Sequence, residues 1–497
     1  MKNISTKYLQ IILVFAILIA SGCTDNLIEE PQSIIAPETY YQSNEEFDAA
    51  INGVLAAFVG GWSGFGFNAP HQLCSGAEDY TSRESEASLI QYDKLETDPT
   101  ARAVNDVWGA LYRGINTANI IIARAPLAEE VAEEDKLKYE ALGRYLRGLQ
   151  YFYLTRWFGE VIIVTYDNVS DAKDLEQSSV SDIYNTMIIP DLEFAEQHLP
   201  LDFPGKALPN KAAAKGLLAE VYLNMAGWPL EDVSKYALAR DKAKEVMDMD
   251  MYSLEPNFKD LWYAANKFTN SEFIFFYNAD ADAGANASFM HIAQRPGEEG
   301  GWNDLFSEAR WFYAFPDGPR KDGSFWTTFD DGNDTYWTES MMQQPFIAKY
   351  RDAGPAASLD VGPINSWSGS GMVCVTRYAE ILLTYAEAAN MAEGGPSAAA
   401  YEAINEVRRR AGGYDQSVYP DLPAGLSQAD FDEAVIAERG WELSFELKRW
   451  FDLVRRKMVV EVNKDLHPNV TADKRWLPKP ATEVKLIEGL KQNDGYY

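Results

Sequence analysis

The residue types that carry out hydrolytic or metal-assisted chemistry occur in this sequence, but their spacing matches no catalytic motif. The four histidines, at positions 71, 198, 291 and 467, lack the spacing of a metal site. No Gly-x-Ser-x-Gly nucleophile elbow occurs. Glu438 and Glu442 lie one helical turn apart, whereas glycosidase acids face each other across a cleft. We therefore predict that this protein is not an enzyme.

Aromatic residues in irregular stretches provide a different signal, that of ligand binding. Residues 60–68 place Trp62, Phe65 and Phe67 in a glycine-rich stretch, and five of the 13 tryptophans lie between residues 302 and 367. Sugar rings have apolar C–H faces and polar edges, so flat aromatic side chains beside polar groups suit them. The accompanying polar residues are Glu78, Asp79, Arg83, Asn303, Asp304, Arg320, Asp330 and Asp334.

From these residues we select a candidate ligand-binding site. Its eight members are Trp62, Phe65, Asp79, Arg83, Trp302, Asn303, Trp326 and Trp337. An irregular lobe also needs aromatic residues for its core, so any single tryptophan is as often a core residue as a platform. Trp62 and Trp302 adjoin glycines and are the first choices, followed by Trp326 and Trp337.

The N-terminus has the pattern of an exported, lipid-anchored protein. Lys2 and Lys7 precede an apolar run at 9–20, whose twelve residues span about 18 Å as a helix. That is too short for a hydrocarbon core of about 30 Å and indicates a secretion signal. Residues 20–23 (Ala-Ser-Gly-Cys) look like a bacterial lipobox, which implies cleavage before Cys23 and its acylation.

The net charge excludes one class of binding partner, and the cysteine content limits the disulfide bonds that the chain can form. The net charge is −31, and such a surface repels phosphate backbones, so nucleic acid is not a partner. Besides Cys23 the chain has Cys74 and Cys374, which exclude a disulfide framework but leave open whether these two are paired or free. Residues 278–282 begin like an EF-hand calcium loop but lack its later glycine and glutamate. We therefore expect no cofactor.

The elements that must position these residues are mostly helices. Ser43 and Glu46 form a capping box for the first helix. Helical periodicity predicts further helices at 101–125, 134–158, 181–198, 210–226, 235–249, 376–393, 397–411 and 427–458. In the last of these, the spacing predicts ion pairs between Arg439 and Glu442 and between Glu446 and Arg449.

Residues 377–410 contain two of these helices in 34 residues, a length and layout that suit a tetratricopeptide-like helix pair. Each such pair buries one face only, so neighbouring pairs must stack. Residues 252–375 have no sustained helical period and predict loops, short strands and a few short helices. The predicted fold is therefore mainly α, a scaffold of tetratricopeptide-like helix pairs that carries an irregular, loop-rich second lobe.

A series of motifs, in order along nearly the whole chain, resembles the SusD/RagB family of nutrient-binding outer-membrane lipoproteins. They are FDAAING at 47–53, VWGALYRGINTAN at 107–119, GRYLRGLQYF at 143–152, RYAEILL at 377–383, AINEVRRRAG at 403–412, RWFDLVR at 449–455, LPKP at 477–480 and QNDGY at 492–496. The resemblance implies a SusD-like α/α superhelix. Its predicted regions are a signal peptide (1–22), a lipidated tether (23–42), an N-terminal helical region (43–251), a ligand-binding lobe (252–375) and a C-terminal helical region (376–497).

The resemblance also implies a function. Family members bind glycan fragments at the cell surface and deliver them to a SusC-like TonB-dependent transporter, over which they act as a lid. This chain is then expected at the outer membrane, lipid-anchored and facing outside. Three alternatives remain open: a peptide-binding RagB-like member of the same family, a surface glycoside hydrolase, and a helical scaffold that binds only proteins.

Overall fold

Helices make up more than half of the residues that the computed structural model describes, which are 40–59, 68–203, 207–280, 290–351 and 369–496. The lipobox with Cys23, the loop with Trp62 and Phe65, and most of the EF-hand-like stretch lie outside these ranges. The α-helices are α1 Asn44–Val59, α2 Ala69–Leu73, α3 Ala87–Asp93, α4 Arg102–Arg124, α5 Glu133–Phe158, α6 Val180–Ile183, α7 Ile189–His198, α8 Lys211–Ala226, α9 Lys235–Met247, α10 Met290–Ala293, α11 Ala309–Ala314, α12 Pro319–Ser324, α13 Tyr378–Glu393, α14 Ala398–Ala411, α15 Gln428–Glu442, α16 Arg449–Arg455, α17 Val459–Asn463 and α18 Ala481–Leu486.

The strands are short and pair in twos, all antiparallel. They are β1 Thr81–Ser82, β2 Val161–Ile162, β3 Gln177–Ser178, β4 Phe273–Asn278, β5 Leu305–Phe306, β6 Phe325–Trp326, β7 Thr328–Phe329, β8 Thr335–Tyr336, β9 Phe346–Ile347 and β10 Met372–Arg377. The pairs are β1–β5, β2–β3, β4–β10, β6–β9 and β7–β8. The prediction of a mainly α fold with an irregular lobe is confirmed.

The long helices pack against one another through their apolar faces. The helix α5 packs against α4 and α7, and its C-terminal half is buried on all sides. Its close approach to α4 depends on Gly143, since a Cβ at this position would lie 3.1 Å from Ile122 Cγ1. The capping box at the start of α1 is confirmed, because Ser43 N donates to Glu46 Oε2 at 3.0 Å and Glu46 N to Ser43 Oγ at 3.4 Å.

The helix pair predicted from residues 377–410 is confirmed as α13 and α14, which pack against each other. The α13 helix also packs against α9, and α9 against α8, so that successive helices cover one another's apolar faces. The strand pair β4–β10 connects the loop-rich lobe directly to the start of α13. Residues 41–497 group as one compact unit, and the predicted boundaries at 251 and 375 stay predictions.

The prediction of a single helix over 427–458 is wrong. The chain leaves helical geometry after Glu442 and resumes it at Arg449, and Phe445 and Leu447 between them have φ angles of 67° and 61°. Left-handed backbone is costly for residues other than glycine, and tertiary contacts hold this turn. Phe445 N donates to Asp79 Oδ2 at 2.8 Å, and Tyr350 Oη donates to Phe445 O at 2.7 Å.

The two local ion pairs predicted for this segment are also wrong, because each charge has a partner from another element. Arg439 donates to Asp452 at 2.9 Å, and Arg449 binds Glu78 at 2.6 Å. Arg377, at the end of β10, donates to both Glu442 and Glu446. The break in the helix turns these side chains inward, where buried charges require partners.

Candidate functional site

A cleft of about 420 Å³ in the loop-rich lobe combines aromatic and polar side chains, and we call it the aromatic cleft. It is lined by Phe312, Asp317, Lys321, Asp322, Phe325, Trp326, Thr327, Thr328 and Tyr336. The helices α11 and α12 provide one wall and the strands β6, β7 and β8 the other. A cleft of this size, with flat rings and a few polar groups, suits a small polar ligand with apolar faces.

Trp326 is held in the aromatic cleft by a buried ion pair. The guanidinium carbon of Arg351 lies 3.5 Å from the centre of the Trp326 ring. The indole Nε1 donates to Glu299 Oε1 at 3.1 Å, and the other oxygen of Glu299 pairs with Arg351. Glu299 and Arg351 are both buried. Trp326 also packs against two groups of buried core residues, one around Phe273 and one around Phe346, and it is half-buried, so only part of the indole faces the cleft.

Tyr336 and Trp337 are consecutive, but the structure gives them different environments. Tyr336 is 42% exposed at the end of β8, whereas Trp337 is 3% exposed. Successive residues of an extended segment point to opposite faces, which explains the difference. Trp337 packs in an aromatic cluster with Phe329 and Phe346, and its ring lies 5.6 Å from that of Phe312. Its role here is packing, and the aromatic cleft contains Tyr336 instead.

The charged residues of the aromatic cleft come from one segment, residues 317–322. The ammonium of Lys321 lies 2.9 Å from Asp317 Oδ1 and donates to the carbonyl oxygen of Phe315 at 3.2 Å. It also lies 4.5 Å from the centre of the Phe312 ring. Asp322, in contrast, is exposed at the rim of the cleft. The aromatic cleft therefore offers one cation that is paired within its own segment and two exposed carboxylates, Asp317 and Asp322.

The predicted residues Arg83 and Trp302 lie on two segments that β1 and β5 bring side by side. Thr81 pairs with Phe306 across these strands, and Arg83 lies 3.7 Å from Asp304. Burial raises the pKa of Asp304 to about 6, against the opposing effect of Arg83. Trp302 is half-buried in the loop before β5, which is the loop that also contains Glu299.

Arg83 also lines a second and larger groove of about 740 Å³, together with residues of β1, α3 and the loop before β9. The aromatic ring in this groove belongs to Phe306, which is 3% exposed and packs in the core. A groove without an accessible ring face has no platform for a sugar. We therefore place the candidate site at the aromatic cleft.

Asp79 and Asn303 are buried, and the structure shows what each supports. Asp79 accepts the backbone N–H of Phe445 at the break between α15 and α16, and burial raises its pKa to about 7. Asn303 has a φ of 55°, and its Oδ1 accepts the N–H of Gly297 at 2.6 Å. Asn303 thus shapes the loop that carries Glu299, the partner of Trp326.

Two stretches of the chain match known families. Residues 37–223 match a family described as starch-binding and associating with the outer membrane, and residues 330–496 match the SusD family. The chain belongs to the SusD/RagB family. The resemblance found in the sequence motifs is therefore confirmed.

Full-length relatives agree with this assignment. The SusD-like protein P2 of Formosa agariphila is 28% identical over an alignment that covers 99% of this chain and all of that protein. A SusD homologue from Bacteroides thetaiotaomicron has a similar structure, with a TM-score of 0.81 and 25% identity over 93% of this chain and 98% of the homologue. A laminarin-binding SusD-like protein has a TM-score of 0.76 at 23% identity, over 92% of this chain and all of that protein.

Several residues that line or support the aromatic cleft are not among those selected from the sequence. They are Phe312, Lys321, Asp322, Tyr336, Glu299 and Arg351. A sequence signal existed for Tyr336, because it lies beside Trp337 after a turn-forming stretch (Asp-Asp-Gly-Asn-Asp) at 330–334. The pairing of Glu299 with Arg351 joins residues 52 positions apart and leaves no local signal.

The carboxylates considered for catalysis in this SusD-family protein are structural. Glu438 and Glu442 are completely buried and both accept hydrogen bonds from Arg320, which is itself buried. Arg377 and Arg410 hold Glu442 from the other side, and their charges lower its pKa despite its burial. Both acids are held by arginines and have no access to a substrate.

Within the described residues of this SusD-family chain, no group of three or more His, Cys, Asp or Glu side chains could hold a metal ion. None of the helices in those ranges is long and apolar enough to cross a membrane. Cys74 and Cys374 are buried and are not joined by a disulfide bond.

Proposed function

We propose that this SusD-family protein binds oligosaccharides in the aromatic cleft and passes them, uncleaved, to a SusC-like TonB-dependent transporter at the outer membrane. The observation that carries the proposal is the fixed indole of Trp326, which faces a cleft lined by Tyr336 and polar side chains. A platform that is already ordered avoids part of the entropy cost of binding.

The chemistry of the aromatic cleft suits a sugar ring. The C–H face of a pyranose stacks on the exposed ring of Tyr336 and contacts the half-buried indole of Trp326, and hydroxyl groups at the ring edge donate to Asp322 or exchange hydrogen bonds with Thr328. A peptide would instead need a row of backbone partners along an extended groove. The family description and the laminarin-binding neighbour support glycan binding from an independent direction.

The same geometry favours binding without cleavage. The carboxylates that line the aromatic cleft, Asp317 and Asp322, come from one short segment, and Asp317 is paired with Lys321. Glycoside hydrolysis needs an acid and a second carboxylate on opposite sides of the scissile bond, about 5 to 9.5 Å apart. Recognition by stacking and hydrogen bonds, followed by release, requires no such pair.

Titration calorimetry with the mature protein, from residue 24 onward, tests the proposal. A panel of neutral oligosaccharides and of peptides is titrated against the wild type and against Trp326→Ala and Tyr336→Ala. We expect one glycan class to bind and each variant to weaken it about tenfold, which is about 1.4 kcal/mol. Binding of peptides alone, or consumption of the sugar during the titration, contradicts the proposal.

A matched control variant shows whether weaker binding requires the loss of a tyrosine in the aromatic cleft or follows from the loss of any exposed tyrosine. Tyr166 is 36% exposed, follows β2 and contacts Arg124, outside the aromatic cleft. Tyr166→Ala is expected to bind the glycan with wild-type affinity.

Delivery is tested separately by isolating the protein from outer membranes in mild detergent, where a TonB-dependent barrel should co-purify in a fixed ratio. Absence of the barrel contradicts the transport part of the proposal and leaves glycan binding unaffected.

A further inference from the structure

We infer that the aromatic cleft selects uncharged glycans and excludes those that carry uronate or sulfate groups. The inference rests on the proposed function and deepens it, since it names the class of sugar that this cleft takes. It is based on the charges around the cleft, each of which has a defined partner or an exposed position in the structure.

The two cations that contact aromatic rings of the cleft, Lys321 and Arg351, each have a carboxylate partner. Lys321, the one basic residue among those that line it, is bound to Asp317, to the carbonyl of Phe315 and to the face of the Phe312 ring. Arg351 lies beneath Trp326 and is paired with the buried Glu299. Recognition of a carboxylate or sulfate needs a cation with free donors directed at the ligand. An anionic sugar would have to compete for Lys321 with Asp317, whose side chain is 93% exposed, or for Arg351 with the buried Glu299.

Negative charges, by contrast, remain accessible around the cleft. Asp322 is exposed on its lining, and the turn that joins β7 to β8 contains Asp330, Asp331 and Asp334. The hydroxyl of Thr335 donates to Asp331 at 2.6 Å and, with nearby backbone N–H groups, lowers the pKa of Asp331 to about 2. This carboxylate is therefore ionised at neutral pH.

These carboxylates weaken the binding of anionic ligands and strengthen the binding of neutral ones. A carboxylate about 4 Å from a ligand anion weakens binding roughly fivefold in a water-like medium, and more where water is excluded. The same carboxylate accepts hydrogen bonds from sugar hydroxyls, and such charge-assisted bonds are stronger than those between neutral groups. The preference for uncharged sugars thus follows from the side chains that bind them.

The test compares one oligosaccharide with its 6-carboxylated form, which has the same chain length and linkage. The probe is the neutral oligosaccharide that binds most tightly in the calorimetric panel, titrated in both forms into the mature protein. We expect the carboxylated form to bind at least tenfold more weakly. Raising NaCl from 50 to 500 mM should strengthen binding of the carboxylated form, because it screens the repulsion, and leave the neutral form unchanged.

Two variants locate the source of the selectivity. Asp322→Asn should reduce the ratio of the two affinities roughly fivefold, since it removes one fixed charge from the cleft. Glu130→Gln removes the same charge from the exposed turn between α4 and α5 and should keep the wild-type ratio. Circular dichroism confirms that both variants are folded, and Asp334→Asn serves as the second test should Asp322→Asn not fold.

The outcomes separate the inference from the proposed function. Equal or tighter binding of the carboxylated oligosaccharide overturns the inference, while glycan binding itself stands. An equal loss of selectivity in Asp322→Asn and Glu130→Gln also overturns it, because the effect would then belong to the overall charge of −31. Absence of binding by any oligosaccharide overturns the proposed function and the inference with it.

Discussion

At the scale of single residues, the orientation of Trp326 depends on one carboxylate. Glu299 accepts the indole N–H and pairs with the guanidinium that covers the ring. Its remaining acceptor capacity is used by the backbone N–H of Asp330 at 2.8 Å, at the start of the turn that leads to Tyr336. One buried side chain thus connects Trp326 to the turn that leads to Tyr336.

We expect Glu299→Gln to weaken oligosaccharide binding two- to tenfold, because an indole that is free to move must be ordered on binding, at roughly 0.5–1.5 kcal/mol. Calorimetry measures the affinity, and quenching of tryptophan fluorescence by iodide reports the mobility of the ring. The neighbouring Glu298 contacts the backbone N–H of Met341 and not Trp326. Glu298→Gln should therefore keep its affinity within twofold, and an equal effect of both variants would contradict this role.

A second residue-scale effect concerns pH. Burial and the nearby Glu308 raise the pKa of Asp93 to about 8, against the opposing effects of Thr81, Arg310 and Lys94. In the unfolded chain the pKa is about 3.9, so between pH 4 and pH 8 the folded state holds more protons. The unfolding free energy therefore decreases as pH rises through this window, by at most about 1.4 kcal/mol per pH unit from this group.

Asp93→Asn should remove this contribution. Urea denaturation at pH 5 and pH 8 is expected to show a smaller loss of unfolding free energy in the variant than in the wild type. The exposed-site variant Glu130→Gln should show the wild-type difference. If Asp93→Asn and the wild type lose the same amount, Asp93 is ionised in the folded protein at pH 5, contrary to this argument.

At the scale of elements, buried ion pairs join segments that are far apart in sequence. Arg377 at the end of β10 donates to Glu272 before β4, to Glu442 at the end of α15 and to Glu446 in the following turn. All four side chains are buried. This network joins the loop-rich lobe to the C-terminal helices and thereby positions the lobe that carries the aromatic cleft.

Removal of one member of a buried network leaves its partners as uncompensated charges. We therefore expect Arg377→Met to reduce the unfolding free energy by about 3–5 kcal/mol. Arg102 also pairs with a carboxylate, Asp106 at 3.1 Å, but its side chain is 68% exposed. Arg102→Met should cost less than about 1 kcal/mol. Urea denaturation of both variants measures the contrast, and similar small losses would contradict a structural role for the network.

The sequence predicts the helix boundaries that local chemistry determines, but not those that depend on distant contacts. Helix ends governed by local chemistry, such as the capping box of α1 and the Gly-Gly-Pro break between α13 and α14, were predicted within a few residues. The break between α15 and α16 was not, because residues 443–448 contain no glycine or proline and keep an apolar helical period. Contacts with Asp79 and Tyr350, far away in sequence, hold that turn.

The aromatic cleft was predictable to a similar extent. The concentration of tryptophans in an irregular lobe directs attention to the region that contains the aromatic cleft, and it includes Trp326, which lines that cleft. The sequence could not indicate which of Tyr336 and Trp337 faces outward, because the strand register that decides it depends on pairing with β7. Lys321 and Asp322 lacked any motif, and only the position of α12 brings them beside Trp326.

At the scale of the whole molecule, charge sets the relation to the membrane. With 75 acidic and 44 basic residues, the surface is repelled by anionic headgroups. In the described part of the chain no helix can span a bilayer. The acylation predicted at Cys23 stays a prediction; several acyl chains would anchor a protein stably.

Cys23→Ser tests this division of roles between the anchor and the folded body. The variant should lose incorporation of radiolabelled palmitate and leave the membrane fraction, while it binds the oligosaccharide with wild-type affinity, because the aromatic cleft is formed far along the chain. Cys74→Ser, at a buried position, is the matched control and should remain labelled and membrane-bound. If Cys23→Ser stayed in the membrane fraction, acylation at Cys23 would not be the anchor. Some other part of the chain would then bind lipid or a membrane partner despite the net charge of −31, which would also contradict the expected repulsion from anionic headgroups.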